Sequence, residues 1–228
     1  MASRVTFPDA SDTGVLVSYS DAAREIDSPQ LSSYGAWTVL GREFCYVAGL
    51  WTPDELRAYS INVLELAAEN IGTFSFLARA RELGVAVSHS LDFVDNTAAE
   101  FSADRGSGRA PGMRELVHRR FDELDSLGVY SAVRRITSAD NDWADALSRG
   151  EDRVQDVLRM ARALGWSPRR LSPDHSWRSL PSVSRSQSGA AEETTGPRPP
   201  RDDVVDELVP RSAAPSELRL EANRSSTP

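Results

Sequence analysis

The sequence predicts an α/β domain in which a mixed five-stranded sheet, with strand order 3-2-1-4-5, carries helices on both faces. Three observations lead to this fold class. Three β-type segments follow one another closely in the first 51 residues, a long stretch of helical periodicity comes next, and strand-like and helical segments alternate after it. Short turns join antiparallel neighbours, whereas strands that alternate with helices form parallel pairs, so the two parts together predict a mixed sheet.

The first three strands form a predicted antiparallel meander. Apolar and polar residues alternate over 14–21 (GVLVSYSD) as in a half-buried strand, and a polar, proline-containing loop follows at 24–33. Aromatic and β-branched residues dominate 34–40 and 43–51, and the Gly-Arg pair between these runs suits a tight hairpin.

The rest of the domain alternates helices and strands. Residues 60–83 contain no proline and only one glycine, so they predict a long helix that could be interrupted near Gly72. The elements predicted after it are a strand over 85–94, a short helix over 95–106, a helix from Pro111 to the residue before Gly128, a strand over 129–137, a helix capped by Asp140 or Asn141, and a last helix from Gly150 to near Trp166.

Composition divides the chain into a flexible lead at 1–13, a domain at 14–168 and a disordered tail at 169–228 that is rich in Ser, Pro and Arg. No apolar run approaches the roughly 20 residues needed to span a bilayer. We therefore expect a soluble intracellular protein, cytoplasmic or nuclear, without a membrane partner. Cys45 is the only cysteine, which excludes an internal disulfide and a multi-cysteine zinc site.

The formal charge of −8 at first argues against a nucleic-acid partner, because affinity for phosphates usually comes from positive charge. Residues 171–228 hold seven arginines and nine acids, so the other 170 residues carry −6. Four of these negative charges belong to candidate metal ligands, which divalent cations would neutralise. The acidity therefore does not exclude a polyanionic substrate.

Four acids are predicted to converge. Asp21 and Asp95 lie at or near the carboxyl ends of the first and fourth strands, which are parallel neighbours in the predicted order. Glu65 would point to the same place from the long helix, and Asp145 from the helix after the last strand. Like charges at close range raise one another's pKa, and bound Mg²⁺ or Mn²⁺ would relieve the repulsion. Two such ions roughly 4 Å apart can activate water and stabilise the leaving oxygen in phosphodiester cleavage.

The motifs around these acids resemble the ribonuclease H domain of retroelement reverse transcriptases, most of all those of DIRS-type elements. They are SDAA (20–23), INVLELAA (61–68), DNTAA (95–99) and NDWADALSR (141–149), and together they span about 135 residues. The resemblance implies a ribonuclease H-like fold, with Asp21, Glu65, Asp95 and Asp145 as catalytic metal ligands for two Mg²⁺ ions, which Mn²⁺ can replace. It also implies endonucleolytic cleavage of the RNA strand of RNA/DNA hybrids, and a reverse transcriptase polymerase domain as a further partner.

One departure from the family bears on activity. Cellular ribonucleases H usually have a histidine in the loop before the last acidic helix, whereas this loop is Ser138-Ala139-Asp140. We therefore expect weak turnover with metal binding retained. No polymerase motif is present, so the chain is either a fragment of a polyprotein or a free-standing domain.

Substrate contacts are predicted at Asn96, which could bind sugar hydroxyls, and at Arg105 and Arg109 in an arginine-rich stretch that reaches Arg120. Capping by the asparagine and a solvated helix face for the arginines are equally open interpretations. Two other functions also remain open: a catalytically silent structural or hybrid-binding module, and a different nuclease of the same superfold, such as an integrase or a junction resolvase.

Overall fold

A computed structural model describes residues 13–96, 112–173 and 177. Its sheet has the order β5-β4-β1-β2-β3-β6, in which β1–β2 and β2–β3 are antiparallel and β1–β4, β4–β5 and β3–β6 are parallel. The predicted mixed sheet and its order 3-2-1-4-5 are confirmed, with a sixth strand added at the edge. The strands are β1 (Val15–Ala23), β2 (Ser33–Leu40), β3 (Glu43–Leu50), β4 (His89–Val94), β5 (Tyr130–Arg135) and β6 (Ser167–Arg170).

Besides a short 3-10 helix (Pro29–Leu31), five α-helices lie within the described residues: α1 (Pro53–Ala58), α2 (Ile61–Glu82), α3 (Met113–Leu127), α4 (Asp142–Leu147) and α5 (Glu151–Ala163). The short α1 was not predicted, although Thr52 and Glu55 form a capping box at its start. The predicted short helix over 95–106 falls mostly outside the described residues. None of the helices in the described ranges is both long and apolar enough to cross a membrane.

The helices cover both faces of the sheet, as predicted. On one face α2 and α3 pack against Leu16 and Ala36, and on the other α4 and α5 pack against Trp37 and Phe44. The helix α2 is continuous through Gly72, where a Cβ atom would lie 2.7 Å from the Cβ of Ala36. The glycine therefore allows close helix–sheet contact and does not interrupt the helix.

Two features of the sheet bring the acidic residues together. The parallel pairing of β1 with β4 sets Tyr19 opposite Phe93, so that Asp21 and Asp95, each two residues further on, emerge at the same edge. Gly35 is the β2 partner of Asp21, and a Cβ atom there would lie 2.5 Å from the Cβ of Leu147. This glycine allows α4 to pack closely on β2, next to Asp21.

Packed residues continue past the predicted domain end at 168. The strand β6 pairs with β3 up to Arg170, and the Trp177 side chain is only 1% exposed. The Trp177 ring stacks on Phe74 of α2, with 4.3 Å between centroids, and the Arg119 guanidinium lies 4.2 Å from the Trp177 centroid. Residues assigned to the tail thus contribute to the core between α2 and α3.

We expect Trp177→Ala to lower the free energy of unfolding by about 3 kcal/mol, because it removes a large buried aromatic side chain. Trp177→Phe should cost less, since it retains a ring that can stack on Phe74. Urea denaturation of the full chain measures both. A change below about 0.5 kcal/mol, the range of ordinary surface substitutions, would contradict the packing of Trp177.

Candidate metal centre

Three of the four predicted acids meet at the carboxyl edge of β1 and β4. Asp21 lies in β1, Glu65 in the second turn of α2, and Asp95 directly after β4. One carboxylate oxygen from each lies within 4.8 Å of the other two. Asp21 and Glu65 are 5% and 6% exposed, whereas Asp95 is half-buried, so the cluster opens to solvent on the Asp95 side.

Each of these carboxylates accepts a hydrogen bond from a neutral donor. Ser148 Oγ donates to Asp21, the backbone N–H of Ala22 donates to Glu65 Oε2 at 3.1 Å, and Ser138 Oγ donates to Asp95 Oδ2 at 2.9 Å. These bonds orient the carboxylates without neutralising them. Ser138 belongs to the loop before α4, so this loop reaches the acidic cluster.

Asp145 lies beside the cluster and not within it. Its Oδ1 accepts from Arg149 Nε at 2.8 Å, and Arg149 Nη1 lies 3.5 Å from Glu25 Oε1. The charge of Asp145 still contributes to the raised pKa of Asp21. The fourth acid therefore acts electrostatically on Asp21 but is bound to an arginine.

The position of α4 depends on two further residues, Asn141 and Ser148. Asn141 begins the helix, but its side chain makes no capping bond and instead donates from Nδ2 to the backbone oxygen of Ser20 at 2.9 Å. Ser148 ends the helix and binds Asp21. Sequence reasoning missed both roles, although both residues belong to NDWADALSR, where Ser148 follows Asp145 by three positions on the same helix face.

The electrostatics of the cluster suit a bound cation. Burial raises the pKa of Glu65 to about 9, with the charges of Asp21 and Asp95 adding to the effect. Burial likewise raises the pKa of Asp21 to about 6, against the lowering effect of the Ser148 hydrogen bond. Carboxylate oxygens are the ligands that Mg²⁺ and Mn²⁺ prefer, so this donor set fits a divalent metal.

Without metal, we expect the free energy of unfolding to fall as the pH rises from about 4 to about 9. The folded protein retains protons on Asp21 and Glu65, with pKa values of about 6 and 9, that the unfolded chain releases at the ordinary pKa values of 3.8 and 4.5. The stabilisation is therefore complete below pH 4 and lost as the pH passes the folded values.

Urea denaturation in EDTA at pH 5, 7 and 9 measures this dependence. Glu65→Gln should remove most of the loss above pH 6, whereas Glu123→Gln, an exposed acid on α3, should leave the profile unchanged. Identical profiles for Glu65→Gln and the wild type would contradict the raised pKa of Glu65.

Only part of the predicted substrate contacts lies within the described residues. Asn96 lies beside Asp95 and donates from Nδ2 to Asn62 Oδ1 at 3.2 Å, so its amide borders the acidic cluster. Arg105 and Arg109 lie outside the described residues. The structure corrects the interpretation of the arginine-rich stretch at Arg120. This side chain is 1% exposed and pairs with Asp92 and Glu69, so it cannot contact phosphates from a solvated helix face.

A groove of about 790 Å³ runs beside the cluster. Ala22, which follows Asp21, lines one part of it, and Ile26 and Leu56 add apolar surface. Arg24, Arg57 and Arg149 also line it. Ala22, next to Asp21, and Arg149, the partner of Asp145, thus lie on the wall of the groove, which carries three arginines.

The solved structures to which this chain is similar include ribonuclease H domains. The RNase H1 of the archaeon Halobacterium salinarum aligns with 19% identity and a TM-score of 0.44, over 62% of this chain and 98% of that one. The N-terminal RNase H domain of a Mycobacterium tuberculosis protein aligns with 18% identity and a TM-score of 0.43, over 65% and 96%. The foamy viral protease–reverse transcriptase, solved in complex with RNA/DNA hybrid, aligns with 11% identity and a TM-score of 0.35, over 59% and 19%.

No protein-family model matches the sequence, and no curated protein matches it. Structural likenesses at this distance carry no argument about activity.

Proposed function

We propose that this chain is a metal-dependent endonuclease that hydrolyses the RNA strand of RNA/DNA hybrids. The observation that carries the proposal is the meeting of Asp21, Glu65 and Asp95 within 4.8 Å, with neutral hydrogen-bond donors around them. Two of these acids are buried, and burying like charges is costly unless a cation compensates them. Hydrolysis of a phosphodiester is the chemistry that such a carboxylate set supports with divalent metal.

In this proposal Asp21, Glu65 and Asp95 hold Mg²⁺, or Mn²⁺ in its place, and Asp145 completes the set. Bound metal would supply Lewis-acid stabilisation of the reacting phosphate and an activated water. The Ser148, Ser138 and Ala22 donors keep the three carboxylates pointing at the shared space. The groove beside Ala22 offers a path for the nucleic-acid backbone, and Asn96 stands where it could contact a sugar hydroxyl.

The substrate class rests on the order of the four motifs around these acids, from SDAA to NDWADALSR. An origin in a retroelement reverse transcriptase is part of the same proposal, with a polymerase domain as the partner. The missing histidine leads us to expect slow turnover.

Cleavage assays on labelled hybrid, duplex RNA and duplex DNA of one sequence test the proposal. We expect cleavage of the RNA strand of the hybrid in Mg²⁺ and in Mn²⁺, a 3′ hydroxyl on the RNA product, and no cleavage in EDTA. A folded protein that leaves the hybrid intact in both metals would refute the proposal, and cleavage of duplex DNA alone would indicate another nuclease of this superfold.

One observation favours a second candidate, a silent hybrid-binding module. Asp145 is bound to Arg149 and lies outside the three-acid cluster, so three of the four proposed ligands lie together and the fourth lies apart. A calorimetric titration distinguishes the two candidates, because a silent module would bind no Mn²⁺ at millimolar concentrations while still binding hybrid.

A further inference from the structure

Arg149 connects the fourth acid to the groove. It follows α4 directly, donates from Nε to Asp145 Oδ1 at 2.8 Å, and lies among the residues that line the groove. Its side chain is 48% exposed and that of Asp145 is 32% exposed, so solvent reaches both partners of the pair. An ion pair at this exposure is weak, and its partners can exchange.

The other two groove arginines are engaged elsewhere. Arg24 donates to the backbone oxygens of Leu56 and Tyr59 at 2.8 and 3.1 Å, which ties it to the end of α1. Arg57 pairs with Asp54. Among the contacts of the described residues, Arg149 is the groove arginine that binds one of the four acids.

We propose that Arg149 is a ligand for a substrate phosphate and that it pairs with Asp145 until that phosphate binds. When a backbone phosphate enters the groove, Arg149 transfers from Asp145 to that phosphate, and the released carboxylate joins Asp21, Glu65 and Asp95 in holding the metal. The inference rests on the proposed function.

The chemistry of the two partners favours this exchange. A guanidinium can bind phosphate through two paired N–H donors, whereas the hydrogen bond from Arg149 to Asp145 uses Nε alone. A carboxylate in turn gains more from a divalent cation than from a monovalent one. Once substrate and metal are present, Arg149 therefore binds the phosphate, and Asp145 the metal, more strongly than the two side chains bind each other.

The first measurement is hybrid binding as a function of salt, made on Asp95→Asn protein so that the RNA stays intact. Adding Arg149→Met should lower the slope of log affinity against log salt by about one, the change expected for one lost phosphate contact. Arg159→Met is the matched control, because it breaks an arginine–aspartate pair with Asp156 on α5, and the slope should not change. An unchanged slope in Arg149→Met would overturn the proposal.

The second measurement is calorimetric titration with Mn²⁺ alone. Arg149→Met should tighten Mn²⁺ binding by about twofold to fivefold, because Asp145 is released from a pair of this exposure. The gain should disappear in an Asp145→Asn background, which separates an effect through Asp145 from the general loss of a positive charge. An equal gain in both backgrounds would overturn the proposal.

The wild-type titrations separate this inference from the proposed function. Wild-type protein that binds neither Mn²⁺ nor hybrid would refute both. Wild-type protein that binds both, together with an Arg149→Met variant that changes neither the salt slope nor the Mn²⁺ affinity, would refute only the role of Arg149.

Discussion

Asp95→Asn should lower the rate of hybrid cleavage by about a thousandfold or more while the protein remains folded. The substitution replaces a charged ligand at the open side of the three-acid cluster with a neutral amide of the same shape. Metal ions contribute several kcal/mol of transition-state stabilisation in phosphoryl chemistry, and each 1.36 kcal/mol is a factor of ten in rate.

Single-turnover cleavage of a hybrid with labelled RNA measures this effect, and circular dichroism verifies the fold. The matched control is Asp140→Asn, an acid in the loop before α4 that binds Thr137 and lies outside the cluster. We expect the control to stay within a few-fold of the wild type. Asp95→Asn cleaving hybrid within tenfold of the wild-type rate would remove Asp95 from the proposed metal ligands.

The order of the elements and the meeting of three acids could be predicted because each depends on local signals. Alternation, turns and helical periodicity gave the strands and helices, and the parallel pairing of β1 with β4 then required Asp21 and Asp95 to share an edge. The pairing of Asp145 with Arg149 could not be predicted, since it depends on side-chain conformation at the end of α4.

The sixth strand was missed for a different reason. Its sequence, Ser167–Arg170 (SPRR), has no apolar alternation and forms a strand only because the exposed edge of β3 offers parallel pairing from Glu43 to Tyr46. Such pairing is a long-range property of the folded sheet. Trp177 was assigned to the tail because its surroundings are polar in sequence, although Phe74, more than 100 residues earlier, supplies its packing partner.

Burial alternates along most of β1 and along β4, but polar side chains occupy several of the buried positions. Ser18 and Ser20 of β1 and Ser90 and Asp92 of β4 are all buried, whereas Tyr19 and Phe93 are only partly buried. Helices cover both faces of this sheet, so the more polar side of each strand could also turn inward. A buried network of polar side chains makes this burial possible, and the spacing of apolar residues in the sequence does not reveal such a network.

The network centres on Arg120 of α3, where Nη1 lies 3.2 Å from Glu69 Oε1 and donates to Asn70 Oδ1 at 2.8 Å. Nη2 donates to Asp92 Oδ2, and to Ser131 Oγ at 2.8 Å. Asp92 in turn accepts from the hydroxyls of Ser18, Thr73 and Ser90. Glu69 is one helical turn from Glu65 and Asp92 is three residues before Asp95, so the network joins α2 to β4 directly beneath the acidic cluster.

Arg120→Met should lower the free energy of unfolding by about 3–5 kcal/mol, because it leaves Asp92 and Glu69 as buried charges without their cation. Arg114→Met, an exposed arginine on the same helix, should change it by less than about 0.5 kcal/mol. Denaturation in urea measures both. Adding Asp92→Asn and Glu69→Gln to Arg120→Met should recover part of the loss, since the network then holds no unpaired charge. A triple variant no more stable than Arg120→Met would mean that lost packing, and not unpaired charge, accounts for the role of Arg120.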